Sequence, residues 1–294
     1  MRRRLRALLP RLHLLPALTE QLDQWAEWLV RTRFAGWSDD EIAGALAELG
    51  ERRDRVLDGA RLEPGAAIAD VGAGTGLLTL GAAERVGPDG DVIALDISVD
   101  ALEELRANAL APNIAYLVGR ADVLPLPNAS VDAVVTRSVL IYVDDKAEAA
   151  REFLRVLRGG GRVSLFEPIN RHNLRLSQAV DLSPLGELGR RVKEWAEAFY
   201  ANPDDPMVNF DEHDLERWFA EAGFADVQVK LGTQERAQSG ERYLNQVGAP
   251  GRPTLLQRWS AVFEPDDVER LVAFLRPQTV RLRYTHVFMT GMKP

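Results

Sequence analysis

The stretch "IADVGAGTGLLTLGAAERVG", Ile68 to Gly87, runs apolar residues into a cluster of glycines and out into a helical pattern. Turns of this kind bring backbone amides close to a nucleotide, because glycine alone tolerates that approach. Three ligands fit the pattern in outline: a dinucleotide held by its pyrophosphate, a triphosphate, or a nucleoside compound with no phosphate. A triphosphate loop needs lysine followed by serine or threonine at the helix start, and Leu77 and Leu78 stand there instead. The dinucleotide fingerprint is G-x-G-x-x-G, with helix amides facing the pyrophosphate. Here Gly72, Gly74 and Gly76 read G-x-G-x-G, and Asp70 sits two residues before the first of them. A carboxylate at the strand tip repels a pyrophosphate. It suits a ligand carrying an ammonium and a sulfonium.

Around that loop the chain alternates. "AAIADV" reads as a buried strand and the residues after Gly76 as a helix with Leu77, Leu78, Leu80 and Ala83 on one face. "DVIALDIS", "IAYLVG", "VDAVVTRSVL" and "GGGRVSLFEP" read as further strands, separated by helices such as "SVDALEELRANAL" and "DKAEAAREFLRVLR". Strands alternating with helices predict right-handed crossovers and a doubly wound parallel sheet. Before this core, residues 1–60 read as a basic arm and a helical cap, with Ser38 and Glu41 spaced as a capping box and a further helix through Arg55, Val56 and Leu57. The core itself is expected over 61–168. Residues 169–235 read as a helical insertion, a last core helix and a sixth strand, "ADVQVKLG"; 236–278 as a second helical insertion over the active site; 279–294 as a closing strand.

The glycine loop and three further stations resemble, in register, the class I S-adenosylmethionine-dependent methyltransferases. Asp96 ends the second strand, where that family places an acid that accepts both ribose hydroxyls. "GRADVLPLP" puts Asp122 and Val123 after the third strand, where the family uses an acidic side chain for the adenine amino group and a backbone amide for a ring nitrogen. Ile97 and Val123 would sandwich the adenine. The resemblance spans about 55 to 168, plus the last two strands. It implies a Rossmann-like α/β fold with a seven-stranded sheet in the order 3-2-1-4-5-7-6, N-terminal helices and helical cap insertions. It also implies S-adenosyl-L-methionine as cofactor, held by Asp70, Gly72, Gly74, Gly76, Asp96, Ile97, Asp122 and Val123. The expected reaction is methyl transfer to oxygen or nitrogen, less so carbon, of a small molecule or peptide, by in-line displacement in a capped pocket. The alternatives are an NAD-dependent oxidoreductase and a methyltransferase-like protein that binds cofactor without catalysis.

Candidates for the chemistry come from the strand tips. His172, just past the fifth strand, is the first choice as a base, since histidine titrates near neutral pH, with a loop histidine exposed to water as the bland reading. Glu167 ends that strand and is a candidate either to bind a cationic substrate group or, as the structural reading, to cap the next turn. Arg137, at the tip of the fourth, is a candidate to grip a carboxylate, with a salt bridge to Asp70 or Asp144 as the bland reading. His286 reads as core or edge, His213 as solvated, and His13 has no feature that recommends it. Tryptophans 25, 28, 37, 195, 218 and 259 gather in the elements expected to roof the site.

Bulk composition narrows the partners. A formal charge of −8 argues against a nucleic-acid partner. The chain has no cysteine, which excludes thiolate chemistry and disulfides and points to a reducing, cytoplasmic setting. The histidines are too scattered for a metal site. The start "MRRRLRALLPRLHLLPAL" has a basic head and leucines, but Pro10, Arg11, His13 and Pro16 interrupt any apolar core, and no window suits a membrane span.

Overall fold

A computed structural model describes residues 22–109 and 111–294. The basic arm and His13 lie outside the described residues. The sheet has seven strands in the order β3-β2-β1-β4-β5-β7-β6: β1 (Ala67–Val71), β2 (Asp91–Asp96), β3 (Ile114–Val118), β4 (Val131–Arg137), β5 (Leu157–Pro168), β6 (Ala225–Ser239) and β7 (Thr279–Met292). The first five pair in parallel, and β7 lies antiparallel between β5 and β6. This is the order implied by the resemblance. β1 is buried along its whole length, as a strand covered on both faces must be.

Helices cover the two faces of the sheet. On one, α2 (Asp39–Ala60) and α3 (Leu77–Val86) bury Val56, Leu57, Leu78 and Ala82 against Ile68 and Val135. On the other, α5 (Lys146–Val156) and α8 (Glu212–Ala222) bury Phe153, Val156, Leu215 and Phe219 against Val71 and Val134. Helix α4 (Val99–Asn108) caps on Ser98 and packs Leu102 and Leu105 beside Ala73 and Ala94. The capping box at Ser38 is present, and α2 continues unbroken to Ala60, past the separate helix expected near Arg55. At the described N-terminus, α1 (Gln24–Glu27) passes directly into a π-helical turn, Trp28–Thr32. Among the described residues no helix is long and apolar enough to cross a membrane.

The two insertions share a core of their own. Helices α6 (Leu176–Ala179), α7 (Glu187–Tyr200), α9 (Gly240–Asn245), α10 (Leu255–Ser260) and α11 (Pro265–Leu275) bury Leu188, Val192, Leu244, Trp259 and Leu275 together with Val280 of β7. β6 runs on to Ser239, well past the expected strand "ADVQVKLG", and stays paired with β7 as far as Thr279. The cap is therefore mounted on a two-stranded extension of the sheet.

Candidate active site

The glycine turn is shaped by contacts that leave no room for side chains. Gly72 has φ +73° and Gly76 φ +98°, backbone that L-residues adopt at a cost. A Cβ at Gly72 would stand 2.0 Å from Val139 Cγ2, and one at Gly76 would stand 2.1 Å from Leu105 Cδ1. The amides of Gly72 and Ala73 donate to the Leu95 carbonyl at 2.7 and 3.0 Å, tying the turn to the end of β2. Asp96, one residue on, completes the tie. Its Oδ2 accepts from the Gly74 amide at 2.7 Å and its Oδ1 from the Ser98 amide at 2.9 Å. Each oxygen keeps a second lone pair, and Asp96 lines the cavity.

Asp70 is the most unusual group in the turn. It is buried, its Oδ2 accepts from Thr79 Oγ1 at 2.5 Å, and its Oδ1 has no partner. Burial, aided by the neighbouring charge of Asp96, pushes its carboxyl up to about 7. Asp122 behaves oppositely: a 2.6 Å ion pair with Arg120 holds it below the usual carboxylate range. These groups open into one cavity of about 720 Å³, toward the upper end of the range for a ligand site. Asp70, Gly72, Gly74, Gly76, Asp96, Ile97 and Asp122 line it. Val123 does not: its side chain is 67% exposed outside the lining, and its amide donates to the Arg120 carbonyl at 3.3 Å.

This donor and acceptor set fits S-adenosylmethionine. An orphaned carboxylate oxygen suits an ammonium, and a second carboxylate with spare lone pairs suits vicinal hydroxyls. A pyrophosphate laid on the same turn would face both Asp70 and Asp96.

The candidates at the strand tips separate sharply. Arg137 lines the cavity and makes neither salt bridge weighed for it; its side-chain hydrogen bond is a long 3.4 Å contact to Ser138 Oγ. Glu167 is fully buried and is not among the residues that line the cavity. Its Oε1 accepts from the amides of Val139 at 2.8 Å and Leu140 at 2.9 Å, and its Oε2 from Ile141 at 3.2 Å. It serves as an anchor for the turn after β4, not as a binder of substrate. His172 is exposed, sits outside the lining, and has Nε2 2.7 Å from Glu212 Oε2. A base must reach the bound acceptor, and His172 does not face the cavity.

Among the described residues, the histidine that does is His286. On β7 it pairs with Pro168 at the end of β5, which brings it to the ligand edge of the sheet. Its ring stacks on Phe166 with centroids 5.1 Å apart and meets Phe288 edge-on at 5.6 Å. Gly232 lies opposite on β6, and a Cβ there would come within 2.5 Å of His286 Nε2. Burial, and then the fields of Arg52 and Arg55, hold the imidazole below its usual range, so it is neutral at pH 7 and able to accept a proton. The sequence reading places a last strand beside the fifth, but the register that brings residue 286 to that edge is set by the fold. Trp25, Trp28 and Trp37 line the cavity, while Trp195 and Trp259 pack in the cap core and Trp218 against the main core.

Known proteins agree with this layout. A methyltransferase domain family model matches residues 69–165. The ubiquinone/menaquinone biosynthesis C-methyltransferase UbiE of Vibrio parahaemolyticus is 30% identical over 197 residues, covering 65% of this chain and 75% of that one. Among solved structures, the YcgJ protein of Bacillus subtilis superposes with a TM-score of 0.55 at 16% identity, over 83% of this chain and 98% of that chain. The phosphoethanolamine N-methyltransferase 2 of Haemonchus contortus, solved with phosphomonomethylethanolamine and S-adenosylhomocysteine, gives 0.51 at 16% identity, over 83% and 52%. With the sheet order, the glycine turn and a relative covered over three quarters of its length in accord, the chain belongs to the class I S-adenosylmethionine-dependent methyltransferases.

Proposed function

We propose that this protein transfers the methyl group of S-adenosylmethionine to a carbon atom of a small-molecule acceptor inside the cavity. One observation carries the proposal: Asp70, with its unpartnered oxygen, opens into the same cavity as Arg137, Tyr142 and His286. Carbon replaces the oxygen or nitrogen expected from sequence because the relative that is 30% identical is a C-methyltransferase. In this reading Asp70 accepts from the ammonium, Asp96 from the ribose hydroxyls and Asp122 from the adenine amine, and Ile97 covers the adenine face. Val123, standing outside the cavity, is left out.

The bound cofactor supplies a methyl carbon already activated by a sulfonium. The chain's own contribution is placement, exclusion of water and a proton acceptor. Trp25, Trp28 and Tyr142 line the cavity and shed water from it; Trp25 packs edge-on against Tyr142 with centroids 4.9 Å apart. His286, neutral and facing the cavity, takes the proton that the acceptor gives up.

Calorimetric titration tests the cofactor assignment: S-adenosylmethionine is expected to bind and NAD, at the same concentration, is not. Tight binding of NAD in place of the sulfonium compound would overturn it. The affinity should also depend on pH. An ammonium needs Asp70 ionised, and its carboxyl sits at about 7 in the free protein. Cofactor affinity is therefore expected to fall by about tenfold for each pH unit below 7, and Asp70→Asn to flatten that slope. The same shift has the opposite sign for the free protein's stability. An acid raised above its unfolded value stabilises the fold below pH ~4 and loses that contribution as the pH rises through about 7.

A further inference from the structure

The cavity carries guanidiniums that have no counterpart in the cofactor-binding assignments. Asp70, Asp96 and Asp122 line it, and so do Arg33, Arg52, Arg137 and Arg236. Arg137 lies within the field of Asp70. Arg52 and Arg236 share the single carboxylate of Glu48, Arg52 at 3.3 Å and Arg236 in closer contact. Among the described residues, no carboxylate lies within ion-pairing distance of Arg33 or Arg137. Arg33 instead stacks on Trp28 and Phe34, with its guanidinium 5.3 and 5.1 Å from the ring centroids.

These cations oppose one another. Arg33 is disfavoured by Arg137 and Arg52, and Arg137 in turn by Arg52, on top of the burial of both. Burying like charges without ion-pair partners is costly, and for Arg137 the fields of Glu167, Tyr142 and Asp70 offset that cost only in part. A bound oxyanion would reverse that cost through bidentate guanidinium contacts. The carboxylate of the cofactor can occupy one guanidinium, which leaves further positive charge facing the acceptor. The surrounding wall is built of the aromatic rings of Trp25, Phe34, Trp37, Tyr142 and Phe166.

We propose that the methyl acceptor is itself an anion: a flat apolar body bearing a carboxylate or phosphate, held by Arg33 and Arg52 with Arg137. This rests on the methyltransferase reading above and names its substrate class. The guanidiniums orient the acceptor so that its reacting carbon faces the cofactor, and they favour negative charge that develops on the acceptor as His286 removes its proton.

The test uses the full chain saturated with S-adenosylhomocysteine and titrated with naphthoate, naphthyl phosphate, the neutral naphthamide and the cationic naphthylmethylamine. At least one of the two anions is expected to bind about tenfold tighter than the amide, with the amine weakest and the preference shrinking as salt is added. Which anion binds better distinguishes carboxylate from phosphate. The double variant R33M/R52M is expected to reduce anion affinity to that of the amide while S-adenosylhomocysteine still binds. Amide or amine binding as tightly as both anions would overturn the proposal. So would anions that displace S-adenosylhomocysteine instead of joining it, since the arginines would then serve the cofactor. The comparison of isosteres on the unaltered chain stands even if the variant fails to fold. Absence of S-adenosylhomocysteine binding would strike the methyltransferase reading itself; binding without anion preference strikes only this inference.

Discussion

Glu167→Ala is expected to cost about 3–6 kcal/mol of folding stability, because three buried amides lose their acceptor at once and each unsatisfied amide costs about 1–3 kcal/mol. The amides belong to Val139, Leu140 and Ile141, in the tight turn that follows β4. Val139 also packs against Gly72, so loosening this turn disturbs the wall of the cofactor loop. In a chain of this size the loss corresponds to a fall in Tm of roughly 10 °C or more. Glu167→Gln retains one acceptor oxygen and is expected to lose about half as much. Urea or thermal unfolding followed by circular dichroism measures both. A variant that melts like the parent but has lost activity would restore Glu167 to the chemistry and remove its structural role. The carboxyl also sits high, at about 7: burial raises it, against the three amides and Lys146, which pull it down.

Asp96→Ala is expected to weaken S-adenosylmethionine binding by roughly 10²–10³-fold. Two causes combine. The ribose loses a charge-assisted acceptor, worth about 1.5–3 kcal/mol for each such hydrogen bond, and the Gly74 amide loses the 2.7 Å tie that fixes the glycine turn. Burial raises the Asp96 carboxyl, while the amides of Ser98 and Gly74 pull it back toward the ionised form. Calorimetry with S-adenosylmethionine on the folded variant is the measurement. Affinity within about threefold of the parent would remove Asp96 from the ribose. Asp96→Asn keeps one acceptor oxygen and is expected to fall between the two.

The glycine turn, Asp70 and Asp96 were legible because their constraints are local: a strand, a turn that excludes Cβ atoms, and an acid at the next strand tip. The sheet order came with the resemblance, and periodicity alone would have left it open. Where sequence reading failed, the missing information lay across the fold. Glu167 looks like any acid at a strand end until the turn from Val139 to Ile141 is folded beneath it. His172 and His286 reach the same end of β5 by different routes, and only the register of β7 shows which one turns inward. The overrun of β6 to Ser239 is hidden because "TQERAQS" has no apolar residue but Ala237 and its partner strand lies some forty residues further on. Helix α2 was divided at a point where nothing interrupts it: its Gly44 and Gly50 meet no neighbour within 4 Å, so neither marks a break.

The overrun of β6 beside β7 gives the cavity one stiff wall. Gln234, Arg236 and Tyr284 present themselves to the cavity from strands whose far ends are stitched into the central sheet. A wall built as continuous ladder has no hinge residue to absorb a large change of direction. On α1 the ties are of another kind: the Asp23 amide donates to Asp100 Oδ2 and Ser98 Oγ donates to Asp23 Oδ2, both at 2.6 Å, and Trp25 packs edge-on against Tyr142.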